Sequence, residues 1–203
     1  VVLGALDGAE LGPAEIERLA AFVDRRGGGL VVLGGNAYGG SILASRGPMA
    51  SLLPATVPAS SLGAAERNRE RKTGAALMRP AQGHERHPIF ASLGEDPAAT
   101  FEKLQRLGGD YLRLGPLKPG ASSIAEDASA PGAAKPSLLA VHRYGAGRVA
   151  LVAPHDTWRL AVGAPDDAAR AASRLWTSLV AWSSAGALDP VSLAAAAGSE
   201  EAG

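Results

Sequence analysis

The chain has 203 residues, of which 46% are hydrophobic, and its 20 Lys and Arg are balanced by 20 Asp and Glu. This length favours a single domain with room for a tail or an insertion, and the apolar fraction is sufficient for a full core. The zero net charge argues against a nucleic-acid-binding protein, and the absence of cysteine excludes disulfides, thiolate metal sites and thiol catalysis. No apolar run reaches the roughly 18 residues of a membrane span, so any membrane attachment is expected to come from segments outside this chain.

The beginning of the chain predicts a strand, a helix and a second strand. Val1 to Leu6 is a short apolar run typical of a buried strand. Pro13 to Arg26 predicts a helix, with proline at its first position and Gly27 as its left-handed end. The apolar positions of this helix repeat at helical spacing: Ile16, Leu19, Ala20 and Val23. Leu30 to Leu33 is the next strand, so the unit is βαβ and its two strands should be parallel neighbours.

Residues 55–136 give weaker signals and are expected to form a loop-rich insertion. Before them, Met49 to Leu53 predicts a helical turn that a proline ends. Within them, Tyr111 to Leu114 and Ser122 to Ala125 predict short strands separated by a turn rich in Gly and Pro. The charged run Glu66 to Lys72 is expected to be a solvated helix face, and the alternative is a contact with acidic lipid or a partner, which its two glutamates weaken.

The last part of the chain predicts a hairpin and a long helix. Leu138 to His142 and Arg148 to Val152 are apolar strands joined by a short segment with two glycines. Asp166 to Ser183 predicts a helix with one buried face. That face is expected to comprise Ala172, Leu175, Trp176, Leu179 and Trp182. Residues 187–203 form a low-complexity tail.

The segment LVVLGGNAYGG, Leu30 to Gly40, carries the first candidate site. It is an apolar strand that runs into a glycine-rich turn, and in α/β proteins such turns lie at the carboxyl ends of parallel strands, where ligands bind. Backbone N–H groups of the turn could cradle an anion, with Gly35, Asn36 and Tyr38 as contact residues. The alternative is a tight turn that needs the positive φ of glycine. The spacing matches no nucleotide-binding motif, and Ser41 lacks the context of a hydrolase nucleophile.

The second candidate site is the segment HDTWR, which follows the last predicted strand. His155 and Asp156 could share a proton, and Arg159 could hold a carboxylate or phosphate through two hydrogen bonds. The alternative is a strand-to-helix junction, in which Asp156 or Thr157 caps the next turn and Trp158 packs on the core. Both candidate sites follow apolar strands, so they are expected to share one edge of the sheet. The Cα atoms of residues 36 and 155 should then lie within about 10–12 Å of each other.

No metal site is predicted. His84 and His87 could bind a metal, but two ligands are too few and Pro88 places the second histidine in a turn.

Three motifs occur in order along the chain: FVDRRGGGLVVLGG (Phe22 to Gly35), LLAVHRYGAGRVALVAPHDTWR (Leu138 to Arg159) and LWTSLVAW (Leu175 to Trp182). Together they resemble the class I glutamine amidotransferase-like domain found in large bacterial membrane proteins, often beside von Willebrand A-type domains. The resemblance implies a flavodoxin-like α/β fold for residues 1–186, with a mainly parallel sheet and helices on both faces. It also implies that the first strands of that fold precede Val1, so that this chain is a fragment.

The glutamine amidotransferases proper use a cysteine on a Gly-x-Cys-x-Gly turn, with a His and a Glu after a later strand. Here the resemblance places Asn36 at the cysteine position and His155 near the histidine position. Asn36 cannot attack a carboxamide, so glutamine hydrolysis is not expected and no catalytic residue is assigned.

The resemblance therefore implies a non-catalytic module that binds a ligand or another protein, within a larger bacterial protein that is associated with a membrane. Its expected partners are other domains of that protein and a small anionic ligand, with no cofactor and no nucleic acid. The side of the membrane is left open. The alternative is a hydrolase or sugar-modifying enzyme of the ThuA-like type that works through His155 and Asp156. A solvent-open cluster of these two residues with Asn36 would favour the alternative.

Overall fold

The computed structural model describes residues 1–4, 11–34, 48–58, 75–104, 106–107, 111–162 and 164–187. These residues form a six-stranded sheet and helices. The strands are β1 (Val2–Leu3), β2 (Gly29–Leu33), β3 (Met78–Pro80), β4 (Ser122–Asp127), β5 (Ser137–Tyr144) and β6 (Gly147–Val152). The helices are α1 (Pro13–Arg26), α2 (Pro48–Leu52), a first 3₁₀ helix (Pro88–Leu93), α3 (Pro97–Lys103), a second 3₁₀ helix (Thr157–Leu160) and α4 (Asp166–Ser184).

The sheet is mixed, with the strand order β1-β2-β6-β5-β4-β3. β1, β2 and β6 are parallel to one another, whereas β5, β4 and β3 each run antiparallel to the preceding neighbour. The expectation of a mainly parallel sheet is therefore wrong for this second half. The physical reason is the predicted hairpin, which is confirmed: a two-residue turn joins β5 to β6 and can only connect antiparallel strands.

The predicted βαβ unit is confirmed. α1 has the predicted bounds, with proline in its first turn, and Gly27 ends it in the left-handed conformation with φ 66°. β1 and β2 pair in parallel, with Val2 opposite Val31. The expectation that β1 is buried is wrong, because β1 is an edge strand in which Val2 is 52% exposed.

Helices pack on both faces of the sheet. Alternate residues of β5 and β6 point to opposite faces, so their contacts show which helices lie on which side. On one side His142 of β5 bonds the Leu52 carbonyl at the end of α2, and α1 packs beside α2. On the other side Arg148 of β6 donates to the Trp182 carbonyl of α4. The first 3₁₀ helix and α3 pack against α4 on that second side. The core lies in the two layers between the helices and the sheet.

Close backbone contacts require glycine where the ends of α1 and α4 meet the β5–β6 turn. Gly145 has φ 56°, and a Cβ there would clash with the Asp24 carboxylate and lie 2.7 Å from its Cα. The Ala146 N–H of the same turn donates to the Asp24 carbonyl at 2.8 Å. Gly29 approaches α4 so closely that a Cβ would lie 2.5 Å from the Ser183 carbonyl.

The predicted strand Tyr111 to Leu114 is wrong, because only Tyr111 pairs there, in a single bridge with Pro154. The predicted helical turn before Pro54 and the predicted strand at residues 122–125 are confirmed as α2 and β4.

The predicted long helix is confirmed as α4, but its buried face differs from the expectation. Trp176 and Trp182 pack only partly against the core. The buried residues of α4 are Ala168, Ala171, Ala172, Leu175, Leu179 and Ser183. The run at residues 66–72, Ser41 and the tail beyond residue 187 lie outside the described residues.

Candidate functional site

The carboxyl ends of three strands meet at one edge of the sheet. β5 is antiparallel to both β4 and β6, so β4 runs in the same direction as β6 and β2. At the end of β2 the Gly34 N–H donates to the Val152 carbonyl at 2.5 Å. The glycine-rich turn therefore begins beside the segment that leads to His155, at the edge where the sequence places the candidate site.

The first group of predicted site residues, Gly35, Asn36 and Tyr38, lies outside the described residues. The predicted separation of residues 36 and 155 therefore stays a prediction. The described part of the site consists of residues His155–Arg159, which we call the carboxyl rim.

The second 3₁₀ helix determines which rim side chains face solvent. Thr157 and Leu160, three residues apart and hence on one side of such a helix, are both buried. Trp158 and Arg159 consequently point outward, and Trp158 is 59% exposed. The alternative in which Trp158 packs on the core is therefore wrong. Asp156 precedes the helix in the capping position, but its side chain makes no capping hydrogen bond.

The charges of the rim are partly balanced. The Arg159 Nε lies 3.7 Å from the Asp156 Oδ2, and the Arg159 guanidinium lies 5.8 Å from the centre of the Trp158 ring. Asp156 is 5% exposed, whereas His155 is exposed. The two neighbours thus occupy different environments, and the rim presents an imidazole, an indole and a guanidinium to solvent.

A polar cluster at the same edge was not predicted from the sequence. The hydroxyl of the buried Tyr111 donates to Asp127 Oδ2 at 2.9 Å and accepts from Arg113 Nη1 at 2.7 Å. Asp127 Oδ1 accepts from the backbone N–H groups of Leu77 and Ser129, at 3.1 and 3.0 Å, and from the Ser129 hydroxyl at 2.5 Å. The cluster thereby joins the end of β4, the start of β3 and the chain that bridges to Pro154.

The electrostatics of this cluster favour a charged Asp127 and a neutral Tyr111. Burial raises the pKa of the Tyr111 hydroxyl above its ordinary value, and the hydrogen bond to Asp127 adds to the effect. Burial also acts to raise the pKa of Asp127, but the hydrogen bonds from Ser129, Tyr111 and Leu77 together hold it below its ordinary value. The bond from Asp127 to the N–H two residues later is an Asx turn, which Asp-x-Ser in the sequence could have indicated. The Tyr111 partner had no sequence signal.

A second polar cluster holds the end of α2. Lys118 donates to the carbonyls of Ala50 and Ser51, the latter at 2.9 Å. His142 Nε2 lies 2.7 Å from the Leu52 carbonyl, which can only accept, so Nε2 carries the proton. Burial lowers the pKa values of both Lys118 and His142. Lys118 and His142 thus provide hydrogen-bond donors for the last carbonyls of α2, which is a structural role.

The two histidines of the HERH segment do not converge on a metal. His87 precedes the first 3₁₀ helix and its Nδ1 accepts from the Ile89 N–H. Across the described ranges, no group of three His, Asp or Glu side chains could hold a metal ion. Over the same ranges, no helix has both the length and the apolar character that crossing a bilayer requires.

The fold and the carboxyl rim define an α/β protein with an open, mixed sheet. No family model and no curated protein matches the chain. The chain is similar in structure to two cytoplasmic proteins of Salmonella typhimurium, STM3548 and STM1381, each with 16% sequence identity. The TM-scores are 0.55 and 0.57, and each comparison covers 90% of this chain and 70% or 71% of the other. At this identity the likeness shows the fold alone.

A further likeness, to the exo-β-1,4-mannosidase Op5Man5 of Opitutaceae bacterium strain TAV5, has a TM-score of 0.41 and 18% identity. It covers 90% of this chain and 23% of the mannosidase. A likeness this low carries no argument about fold or activity.

Proposed function

We propose that this chain is a non-catalytic module of the class I glutamine amidotransferase-like type, which binds a ligand or another domain of a larger membrane-associated bacterial protein. The observation that carries the proposal is the composition of the carboxyl rim. Trp158 and Arg159, whose side chains could stack on a ligand and bind an anion, are exposed there. Asp156, the acidic residue next to His155, is buried. The whole chain also lacks the cysteine that glutamine hydrolysis by this class requires.

The finer fold assignment belongs to the same proposal. β1, β2 and β6 with the crossover helix α1 form a parallel half that suits a flavodoxin-like sheet. The antiparallel half, β5-β4-β3, departs from that pattern. We therefore assign the flavodoxin-like character to the parallel half only. That half also carries the carboxyl rim, which follows β6.

The chemistry of the rim suits a ligand that combines a flat apolar part with a negative group. The exposed indole of Trp158 offers a stacking surface, and the Arg159 guanidinium can donate two hydrogen bonds to a carboxylate or phosphate. Asp156 at 3.7 Å offsets part of the Arg159 charge, so a bare anion should bind weakly. Membrane attachment would come from segments outside this chain.

Calorimetric titration with an aromatic carboxylate, an aromatic phosphate and inorganic phosphate tests the binding proposal. We expect the aromatic anions to bind more tightly than inorganic phosphate, and Arg159→Ala to weaken their binding by about tenfold or more. Arg174→Ala is the matched control, since Arg174 is exposed on α4 away from the rim. Equal losses in the two variants, or no binding by the wild type, would contradict a ligand site at the rim.

A glutaminase assay tests the absence of catalysis. We expect ammonia release from glutamine at the background rate for both the wild type and His155→Ala, because no thiol is available. Release above background that disappears in His155→Ala would show that the chain is an enzyme.

One observation favours the alternative, a hydrolase or sugar-modifying enzyme of the ThuA-like type. His155 is exposed at the carboxyl edge, where an acid or base would reach a substrate. Hydrolysis of a panel of nitrophenyl glycosides that is lost in both His155→Ala and Asp156→Asn would support it. Without such activity the binding module stands.

A further inference from the structure

His87 lies where the first 3₁₀ helix begins, on the side of the sheet that α4 covers. Its Nδ1 accepts a hydrogen bond from the Ile89 N–H at 3.3 Å, which makes His87 the N-cap of that helix. A nitrogen that accepts from an N–H carries no proton, so the neutral ring must have its proton on Nε2. The cap therefore exists only while Nδ1 is unprotonated.

The His87 ring also fixes the beginning of the helix against α4. Its centre lies 5.5 Å from the Trp182 ring and 6.1 Å from the Phe90 ring. Phe90 and Ile89 are fully buried, so the N-cap hydrogen bond and the ring contacts both hold the point at which this helix enters the hydrophobic core.

The surroundings of His87 oppose a positive charge. α4 faces the ring with the uncharged Trp182, the preceding turn brings His84 and β6 brings the cation Arg148, and the electrostatic effects of His84 and Arg148 both act against a proton on His87. Arg148 itself lies 5.3 Å from the centre of the Trp182 ring. Burial, followed by the charges of His84 and Arg148, lowers the pKa of His87 below its ordinary value.

We propose that His87 is an acid-sensitive latch: a proton taken up at Nδ1 removes the acceptor of the Ile89 N–H and releases the beginning of the first 3₁₀ helix from Trp182. The proton comes from solvent, and the protonated ring turns toward water. The Ile89 N–H then opens to exchange, while the rest of the helix keeps its buried contacts.

The sign of the effect follows from linkage. The folded state disfavours the charged ring, so the stabilisation by the latch is complete above the pKa of about 6.5 in the unfolded chain. It is lost as the pH falls from there through the lower pKa of the folded state. One proton is involved, so the opening constant can rise by at most about tenfold per pH unit.

The latch lies at the end of the sheet opposite the carboxyl rim, because Arg148 and Trp182 sit where β6 begins and α4 ends. Ligand binding at the rim and opening of the latch are therefore separable, and failure of one proposal leaves the other intact.

Indole fluorescence and amide hydrogen exchange test the latch between about pH 7.5 and pH 4.5. All proteins carry Trp158→Phe and Trp176→Phe, so that Trp182 is the only tryptophan of the chain and the emission reports its surroundings alone. We expect the Trp182 emission maximum to move to longer wavelength on acidification, since the indole loses its contact with the His87 ring and becomes more exposed to water. The protection factor of the Ile89 amide, which already corrects for intrinsic exchange, should fall over the same pH range.

The decisive variant is His87→Asn, because asparagine is a preferred N-cap but does not titrate. It should keep Ile89 protected and abolish the pH dependence of both signals. The matched control His84→Asn should keep the transition and move it to higher pH, since the electrostatic effect of His84, which lowers the pKa of His87, is removed. A transition that persists in His87→Asn, or its absence in the parent protein, overturns the proposal. If His87→Asn does not fold, imidazole resonances of the parent decide: His87 must titrate together with the loss of Ile89 protection.

Discussion

The contact between the β5–β6 turn and the end of α1 makes Gly145→Ala a severe change. The Cβ would clash with the Asp24 carboxylate and lie 2.7 Å from both the Cα and the carbonyl oxygen of Asp24. Real Cβ atoms essentially never come closer than 3.0 Å to such neighbours, so the turn must move away from α1 by a few tenths of an ångström or more. That movement also lengthens the hydrogen bond from the Ala146 N–H to the Asp24 carbonyl, now 2.8 Å.

The magnitude has three sources. An alanine at φ 56° costs about 1–2 kcal/mol, overpacking about 1–3 kcal/mol, and the weakened hydrogen bond about 1 kcal/mol or less. We expect Gly145→Ala to lower the free energy of unfolding by about 3–5 kcal/mol. Gly83→Ala is the control that introduces the backbone strain without the steric clash, because Gly83 has φ 81° but its Cβ would meet nothing within 4 Å. We expect that variant to lose about 1–2 kcal/mol.

Urea unfolding followed by circular dichroism measures both variants. With a slope of about 2 kcal/mol per molar urea, the two midpoints should differ by about 1 M. The slopes must agree with that of the wild type for the comparison to hold. Equal midpoints for Gly145→Ala and Gly83→Ala would refute the idea that the approach of Asp24, rather than backbone conformation, requires glycine at position 145.

Two further predictions concern the core. Tyr111→Phe removes the donor to Asp127 Oδ2 and should cost about 1–3 kcal/mol near pH 7. Because the pKa of Asp127 lies below its ordinary value, this loss of stability should shrink as the pH falls through that pKa and the carboxyl is protonated. A loss that stays the same at every pH in urea titrations would contradict this prediction. On α4, Leu179→Ala should cost about 2–5 kcal/mol and Trp176→Ala about 1–2 kcal/mol, since only Leu179 is fully inside the core. A larger loss for Trp176→Ala would place its ring in the core.

Local signals predicted the parallel half of the fold. The bounds of α1 follow from proline at its beginning, Gly27 at its end and the periodicity between them, all of which act over a few residues. The parallel pairing of β1 with β2 follows from the tendency of consecutive strands that a helix connects to lie side by side in the sheet. The exposure of β1 could not be predicted in this way, because edge position depends on which strand adds next to it in space.

The buried face of α4 shows where periodicity is insufficient. The sequence pattern placed Trp176 and Trp182 on the buried stripe. In the structure α4 approaches β2 so closely, at Gly29 and Ser183, that small side chains fill the gap and the large rings move to its margin. Interaxial distance is a property of the packed pair, and one helix alone does not reveal it.

The sequence predicts the position of the candidate site in the sheet, but it does not predict the directions and contacts of its side chains. The edge that carries residues 155–159 follows from strand direction, and the structure confirms that β6 ends there beside β2. The outward direction of Trp158 follows from the burial of Thr157 and Leu160 on the other side of the same turn, and tertiary packing rather than local sequence decides which side is buried. The bond between Tyr111 and Asp127 joins segments whose proximity only the folded sheet creates.

The division of the sheet into two halves has a consequence for the order of folding. β4, β5 and β6 follow one another along residues 122–152, so their pairing closes only short loops and can form early. The pairing of β2 with β6 joins Gly29 to Arg148 and closes a loop of about 120 residues, which places it late. The carboxyl edge, where Gly34 meets Val152, is completed by this most distant of the described strand pairings. We therefore expect the chain to acquire its candidate binding surface at the end of folding rather than at its beginning.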